Sequence, residues 1–542
     1  MAAPEPDLSE PGRAFWLGGE TNALLIGWCA SCNRWQHPSQ EICPGCLQTV
    51  SEFRAVSGKA EVLACTVNHQ PWANGIAPPY VIAIVGLAED PSIRLTTNIV
   101  NVEPGHVHVG MAVRVVFRPQ GNAWIPLFEP EPAGARPSEA MAISAPQPLL
   151  QTPVVGPKFE DKVAITGIGA SQIGRRLPQS ELALTIDACL SAVADAGLTL
   201  ADIDGLCGYP GSDGLPGTSK GGVRAVEQVL RINPAWHCGA HEVPGQIGTV
   251  IDAMMAVASG LCRHVLCFTS FSEKKRPSHR HGASGLKVQG EPAWALPFGC
   301  ASPANWLALY ASQYCAKYAV DADFLGAIAI SARTYAARNP AALYRHPIDM
   351  ETYRAARMIS SPFRLLDCDV PCDGAMAVIV SARETAQDCP HRPVLVEAVG
   401  TRIGERQSWD QGTLTHQPQV FSTAAHLWSR TDLGPRDVDV ALLYDGFTFN
   451  AVSWIEALGF CGLGEAAGFI DGGRRIALDG ALPLNPHGGH LSAGRTNGYG
   501  HLLEAVAQMR GQAGERQVVG ARVAVVTTGG AIPAGCLLLR RD

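Results

Sequence analysis

The chain lacks any run of 18 or more apolar residues, so no segment reads as a membrane span. Its most apolar stretch, RVAVVTTGGAIPAGCLLL, is interrupted by Gly and Pro and reads as two buried strands. It also lacks an excess of positive charge. Lys and Arg number 42 against 49 Asp and Glu, a net charge of -7, which disfavours nucleic acid as a partner. The start, MAAPEPDLSEPGRAF, is acidic and Pro-rich, without the basic and apolar regions of a signal peptide. Seventeen Cys is an odd count in a chain with no secretory pattern. This argues against a complete disulfide framework and for reduced thiols in the cytoplasm. What remains is 542 residues, 46% hydrophobic and 17% charged with 57 Gly, a composition for several well-buried globular domains.

Residues 27–46 read GWCASCNRWQHPSQEICPGC. Cys29, Cys32, Cys43 and Cys46 form two CxxC knuckles, each able to place two thiolates on one metal. Together they predict a closed, tetrahedral structural zinc site. His37, between the knuckles, reads as a surface residue rather than a ligand. Residues 57–130 then carry short Val-, Ile- and Thr-rich runs (GKAEVLACTVNHQ, PPYVIAIVGLAE, IRLTTNIV, MAVRVVFRPQ) separated by Gly, Pro or Asp, as in a small OB-fold barrel. Through residue 130 there are 7 Lys/Arg and 11 Asp/Glu, net -4, which suits a single-strand groove poorly. Residues 131–158 form a Pro/Ala-rich linker with no periodicity.

From residue 159 strands and helices alternate. DKVAITGIGASQIG is a strand and Gly turn, ELALTIDACLSAVADAGL an amphipathic helix, HVLCFTSFS a strand and DGAMAVIVSA another. A second half, 389–542, opens at RPVLVEAVGT and ends at RVAVVTTGG. The reading is an α/β body in two halves, 159–388 and 389–542, preceded by residues 1–56 with the zinc ribbon and 57–130 as the barrel. The run EKKRPSHRHG places Lys274, Lys275 and Arg276 where they could meet phosphates or form a solvated loop. Near the C-terminus, NPHGGHLSAGRTNGYGH packs three His, an Arg, a Tyr and five Gly into 17 residues, ahead of a helical pattern. Glycines there let backbone approach a ligand closely.

The body resembles the thiolase superfamily through DGAMAVIVSA (373–382), YDGF (444–447), NPHGGHLSAGRTNG (485–498) and TTGGA (527–531), in that family's order. It is most similar to the lipid-transfer-protein-like branch. The N-terminal module resembles the zinc-ribbon/OB-fold proteins that accompany such enzymes as separate subunits. The resemblance implies a duplicated thiolase fold, two βαβαβαββ halves, and a homodimer formed through the thiolase-like domain. It also implies three catalytic groups, and all three are missing. HEVPGQIG has no Cys where the nucleophile should stand, and Cys238 comes several residues too early. Arg495 takes the place of the activating His, and Thr527 that of the second Cys. An arginine cannot serve as a base.

The combination resembles the aldolases of bacterial steroid side-chain degradation. That resemblance implies retro-aldol cleavage of a β-hydroxyacyl-CoA to a short acyl-CoA such as propionyl-CoA and a ring ketone. Coenzyme A enters as part of the substrate, and no covalent cysteine forms. Two tyrosines would carry the acid–base work. Tyr444 matches one and Tyr499 the other, with Asp445, His487, His490 and Arg495 around them. A charged neighbour such as Arg495 would help a phenol act as a base. His501 opens the helix and could be only a cap. The OB-fold module is expected to pack near the mouth of the site and shape the substrate tunnel. Two other readings remain open at this stage, a re-sited acyltransferase using Cys267 or Cys300 and a non-catalytic acyl-CoA or lipid carrier.

Overall fold

The structure is a computed structural model that describes residues 3–542 except 10, 51, 133–156, 212–217, 241, 274–286 and 530–532. Most of the linker expected at 131–158, and all of Lys274, Lys275 and Arg276, lie outside the described residues.

The ribbon is a three-stranded antiparallel sheet: β1 (Leu24–Cys29) pairs with β2 (Arg34–Gln36) on one side and β3 (Glu52–Val56) on the other. The barrel follows as β4 (Lys59–Asn68), β5 (Tyr80–Leu87), β6 (Arg94–Thr97), β7 (Ala112–Gln120) and β8 (Ala123–Pro130). β4 pairs with β5 and β7, β5 with β6, and β7 with β8. A bridge from Ile99 to Phe128 brings the end of β6 round to β8, so the sheet nearly closes on itself. Every residue of β5 is buried, because β5 is covered on both faces rather than one.

The body is built on a nine-stranded sheet. Its strands are β9 (Val163–Ala170), β10 (Gly205–Gly208), β11 (Trp236–Gly239), β12 (His264–Phe271), β13 (Gly374–Ala382), β14 (Val394–Gly400), β15 (Val440–Leu442), β16 (Val523–Thr528) and β17 (Gly535–Arg540). The spatial order is β11-β10-β12-β13-β9-β14-β17-β16-β15. Outward from the β9–β14 join, each half presents its first, last, next-to-last and second strand. The last pairs antiparallel with both neighbours, and the second lies parallel to the next-to-last. That repetition is the internal duplication of the fold.

The helices that matter to the site are α1 (Glu181–Asp195), α2 (Gly248–Ala258), α3 (Pro303–Tyr318), α4 (Val420–Trp428), α5 (Thr448–Ala457) and α6 (Tyr499–Arg510). Their starts follow from local chemistry. The Ser180 hydroxyl accepts the Ala183 N–H at the head of α1, and Ser302 with Asn305 closes a capping box before Pro303 opens α3. No helix among the described residues is long and apolar enough to cross a membrane.

The N-terminal module is bound closely to the body. Glu5–Pro6 pair in parallel with Lys287–Val288, and Trp16 stacks on Trp294 with ring centroids 5.0 Å apart. Ser360 of the body pairs with Asn68 and so extends the barrel sheet. This packing overturns the surface reading of His37. Its ring is buried against Phe15 and Trp294, at 5.1 and 4.9 Å between centroids.

Candidate active site

The four ribbon cysteines converge. Cys29 and Cys46 sulfurs lie 3.5 Å apart, as do those of Cys32 and Cys43, and all four fall within 4.8 Å of one another. Thiolates about 2.3 Å from a tetrahedral zinc would be ~3.8 Å apart, so this donor set fits zinc with little movement.

Tyr444 follows β15 at the carboxyl end of the sheet. Its N–H donates to Thr527 Oγ1 on the neighbouring β16 at 2.9 Å, and Asn485 Nδ2 holds the Leu443 carbonyl at 2.8 Å. The residue at the third missing cysteine position therefore still serves the site, by fixing the Tyr444 backbone. Gly446 makes room for the ring, since a Cβ there would stand 2.7 Å from it. Phe447 then opens α5, so YDGF is a strand end, a turn and a helix start.

The segment from 485 to 501 wraps Asp445. Gly488 and Gly489 have φ of 100° and 58°, a conformation that favours glycine, and lead into a π-type turn over Gly489–Ala493. A Cβ on Gly489 would lie 1.8 Å from Asp445 Oδ2. Only the bare backbone lets the carboxylate come this close. Asp445 Oδ1 accepts the His490 N–H at 2.8 Å and pairs with His501 Nε2 at 3.1 Å.

Four rings gather over this carboxylate. His490 meets Tyr444 edge-on at 4.9 Å and His501 edge-on at 4.6 Å. His487 meets His501 edge-on at 4.9 Å, and Tyr444 lies nearly parallel to His501 at 6.4 Å. Tyr444, Asp445, His487, His490 and His501 are all buried. The N–H of Gly498 donates to His490 Nε2 at 3.2 Å, which places the neutral ring's proton on Nδ1. Among the described residues, Asp445 Oδ2, both His487 nitrogens, His490 Nδ1 and His501 Nδ1 have no hydrogen-bond partner. So many unpaired polar atoms in one buried place make this the candidate site for a ligand or a proton. Burial first, and then the neighbouring His501, holds His487 and His490 well below the usual histidine range, so both are neutral imidazoles. Asp445, His490 and His501 are also close enough to share a metal ion. Their hydrogen bonds to one another already account for the Asp445 Oδ1 contacts.

Arg495 lies beside this group, with Nη1 3.2 Å from Asp369 Oδ1. The Tyr444 phenol feels both. Burial raises its pKa well above the usual tyrosine value, Asp369 raises it further, and Arg495 opposes them without prevailing. Arg495 therefore does not make the phenol a resting base. Nor does it sit by Tyr499, as their closeness in sequence suggested. The Tyr499 ring lies in the apolar cluster with Ile247, Cys207 and Cys267. Its hydroxyl faces Thr249, in the first turn of α2, the helix that follows HEVPGQIG. Cys300 is a poor nucleophile: it is wholly buried, and burial pushes its thiol far above the usual range.

Sequence reasoning missed Asp369 and left His501 open as a cap. No motif marks Asp369. His501 could have been found from its spacing, one helical turn past the Gly that begins α6.

Residues 401–537 match the family described as thiolase C-terminal domain-like, and residues 53–118 match the ChsH2 C-terminal OB-fold domain. The chain is 34% identical to a steroid side-chain-cleaving aldolase of Thermomonospora curvata, over 70% of this chain and 98% of that protein. It is 32% identical to the 17-hydroxy-3-oxo-4-pregnene-20-carboxyl-CoA lyase of Mycobacterium tuberculosis, over 70% of this chain and 99% of that one. The solved structure of an Ltp2-ChsH2(DUF35) aldolase superposes with a TM-score of 0.63 at 34% identity, covering 70% of this chain and 98% of its own. The chain thus belongs to the thiolase superfamily and, within it, to the family of the steroid side-chain-cleaving aldolases, with an OB-fold of the ChsH2 type in the same polypeptide.

Proposed function

We propose that the chain is a retro-aldol carbon–carbon lyase acting on a β-hydroxyacyl-CoA thioester whose acyl group carries a steroid-like ring system. The products are a short acyl-CoA, such as propionyl-CoA, and a ring ketone. The observation that carries this reading is the replacement of the acyl-cysteine machinery by a buried phenol, carboxylate and imidazole group. Arg495 and Thr527 stand where thiolase chemistry needs His and Cys, while Tyr444, Asp445, His490 and His501 touch one another.

The reaction needs no covalent nucleophile. A base takes the proton of the tertiary hydroxyl, the carbon–carbon bond breaks, and its electron pair passes to the thioester as an enolate. The ring keeps the new carbonyl. A proton then returns to the enolate carbon, which gives the short acyl-CoA. His501 is suited to be the acceptor: its Nε2–H is engaged by Asp445, so Nδ1 offers a lone pair. Tyr444 keeps its proton at neutral pH and its ring meets His490, which suits it to deliver a proton or stabilise the oxyanion. Groups in these roles contribute about 10²–10⁴-fold and 10²–10³-fold respectively. Tyr499, on α6 and facing the first turn of α2 in the other half, supplies a second phenol. His487 and His490 complete the polar wall, and Arg495 with Asp369 sets the field at Tyr444.

The ribbon holds one structural zinc. The open edge strand β11, with alternating partly buried and exposed residues, supports a homodimer through the body. The unpaired cysteines support a cytoplasmic location. A product assay tests the main reading: the purified protein and its Tyr444→Phe variant are incubated with a steroid side-chain CoA thioester bearing a tertiary β-hydroxyl. Release of short acyl-CoA and ring ketone, lost in the variant, is the expected result. An intact thioester after incubation would overturn the proposal.

A further inference from the structure

The body holds a cavity of about 390 Å³, within the size range of small-molecule pockets and lined by residues between 291 and 418. Its lining is mainly apolar, with Leu296, Ala301, Trp306, Tyr310 and Trp409 among the residues and Gln417 as a polar one. Trp306 and Trp409 stack at 5.8 Å with 22° between their planes, giving one broad flat wall.

Two walls of the cavity are held from the barrel, one by Tyr80 of β5 and by Asn98 just past β6, the other by β6 itself. On the 291–301 side, Asn98 Nδ2 donates to the Phe298 carbonyl at 2.8 Å and the Tyr80 hydroxyl to the Gly299 carbonyl at 2.9 Å. On the 407–418 side, the Thr96 hydroxyl donates to Asp410 at 3.0 Å and Gln411 Nε2 to the Arg94 carbonyl at 2.9 Å. The barrel thus fixes the width of the cavity. Gln417 joins it to the catalytic group. Its Nε2 donates to the Gly529 carbonyl, while its Oε1 accepts from Asn450 Nδ2 at 2.7 Å. Gly529 lies two residues past Thr527, the residue that fixes the Tyr444 backbone.

One group in the cavity wall is poorly satisfied. Among the described residues, the indole N–H of Trp306 is buried and bonds no oxygen or nitrogen. Its partner is the sulfur of Cys300, a weak acceptor. An indole can only donate, and sulfur satisfies it less well than an oxygen would. A ligand that fills a mainly apolar space and brings one oxygen acceptor would answer both features.

We propose that this cavity takes the flat apolar ring body of the acyl group, and that Trp306 Nε1–H recognises a carbonyl on that ring. The proposal rests on the lyase reading for the identity of the acyl group, but the binding it claims is independent of turnover. The test uses the full chain and two tetracyclic ligands without a coenzyme A arm, one bearing a ring carbonyl and one lacking that oxygen. Binding of each is measured by calorimetry, and cleavage of the corresponding thioesters is followed in parallel.

The protein should bind the carbonyl ligand about 2- to 12-fold more tightly than its oxygen-free counterpart, the range of one net hydrogen bond. Trp306→Phe should bind both and lose the preference. Ala301→Trp, which fills the cavity, should block both, and Leu296→Trp replaces it if that variant does not fold. A preference that survives in Trp306→Phe, undiminished binding in a folded cavity-filling variant, or no binding at all would each overturn the assignment. Normal ligand binding with no thioester cleavage would instead sink the lyase reading and leave this cavity assignment standing.

Discussion

His501 Nε2 and Asp445 Oδ1 lie 3.1 Å apart with both side chains wholly buried, and the same oxygen takes the His490 backbone N–H at 2.8 Å. One carboxylate thus orients the His501 imidazole and holds the backbone that carries His490, and it can do so only because Gly489 has no Cβ. In Gly489→Ala the new methyl would meet Asp445 Oδ2, and φ at that position is already 58°. The carboxylate must withdraw and give up both bonds. Each unpaired buried group costs about 1–3 kcal/mol, so the variant should lose on the order of 3 kcal/mol of stability and nearly all activity. Thermal unfolding and turnover measured together check this. Wild-type stability in the variant would show that the carboxylate is not held as described.

Tyr444→Phe should lower kcat by about 10²- to 10⁴-fold with little change in stability, because Phe keeps the ring packing against His490 and His501. Two neighbours allow a finer test of sign. Asp369 raises the phenol pKa and Arg495 lowers it. Asp369→Asn should therefore move any alkaline limb of the pH–rate profile that reports Tyr444 to lower pH. Arg495→Gln should move it to higher pH. Shifts in the same direction for both variants would show that the limb belongs to another group.

The motifs that carry the site were legible because each is short-range. YDGF is a strand end, a turn and a helix start, and the Gly pair at 488–489 forces a turn whatever surrounds it. The Cys spacing likewise fixed the donor set. What was not legible depends on chain segments far apart in sequence. His37 looks exposed until residues near 294 arrive to cover it. Asp369 pairs with Arg495 only because the 367–370 segment packs under the turn that begins α6. Tyr499 stands four residues from Arg495, yet Gly498, with φ of 75°, turns the chain so that the phenol points into the other half. Closeness in sequence predicted closeness in space, and one left-handed residue reversed it.

Metal removal should act on the N-terminal module first. The ribbon strands are short, and the four cysteines tie the turn after β1 to the 43–46 knuckle. The protein should carry one zinc per chain, measurable by elemental analysis. Chelation or Cys43→Ser should increase proteolytic cleavage within residues 24–56 before the body unfolds. Because the barrel holds two cavity walls, weaker ring-ketone binding should accompany zinc loss. Full resistance to proteolysis after complete removal of the metal would refute a structural role.

His37 offers a pH test of the junction between module and body. Burial is the main cause that lowers its pKa from 6.5 to about 3, with Arg406 adding to it. Phe15, Trp294 and Arg406 surround it, and its Nδ1 has no partner among the described residues. The folded state therefore holds the ring neutral, whereas the unfolded chain binds a proton near the ordinary value. The sign follows directly: this contribution to stability is complete above pH 6.5 and is lost as the pH falls from there toward 3. At pH 5 the loss is about 1.5 pH units, or roughly 2 kcal/mol. In His37→Phe the ring packing against Phe15 and Trp294 is retained and the titration removed. The variant should match the wild type at pH 7.5 and exceed it by about 2 kcal/mol at pH 5. Denaturant unfolding of both proteins at the two pH values measures this difference. Because both carry the same cysteine site, acid release of zinc cancels in the comparison. An identical pH dependence for variant and wild type would mean that His37 is solvated and that the module does not close over it.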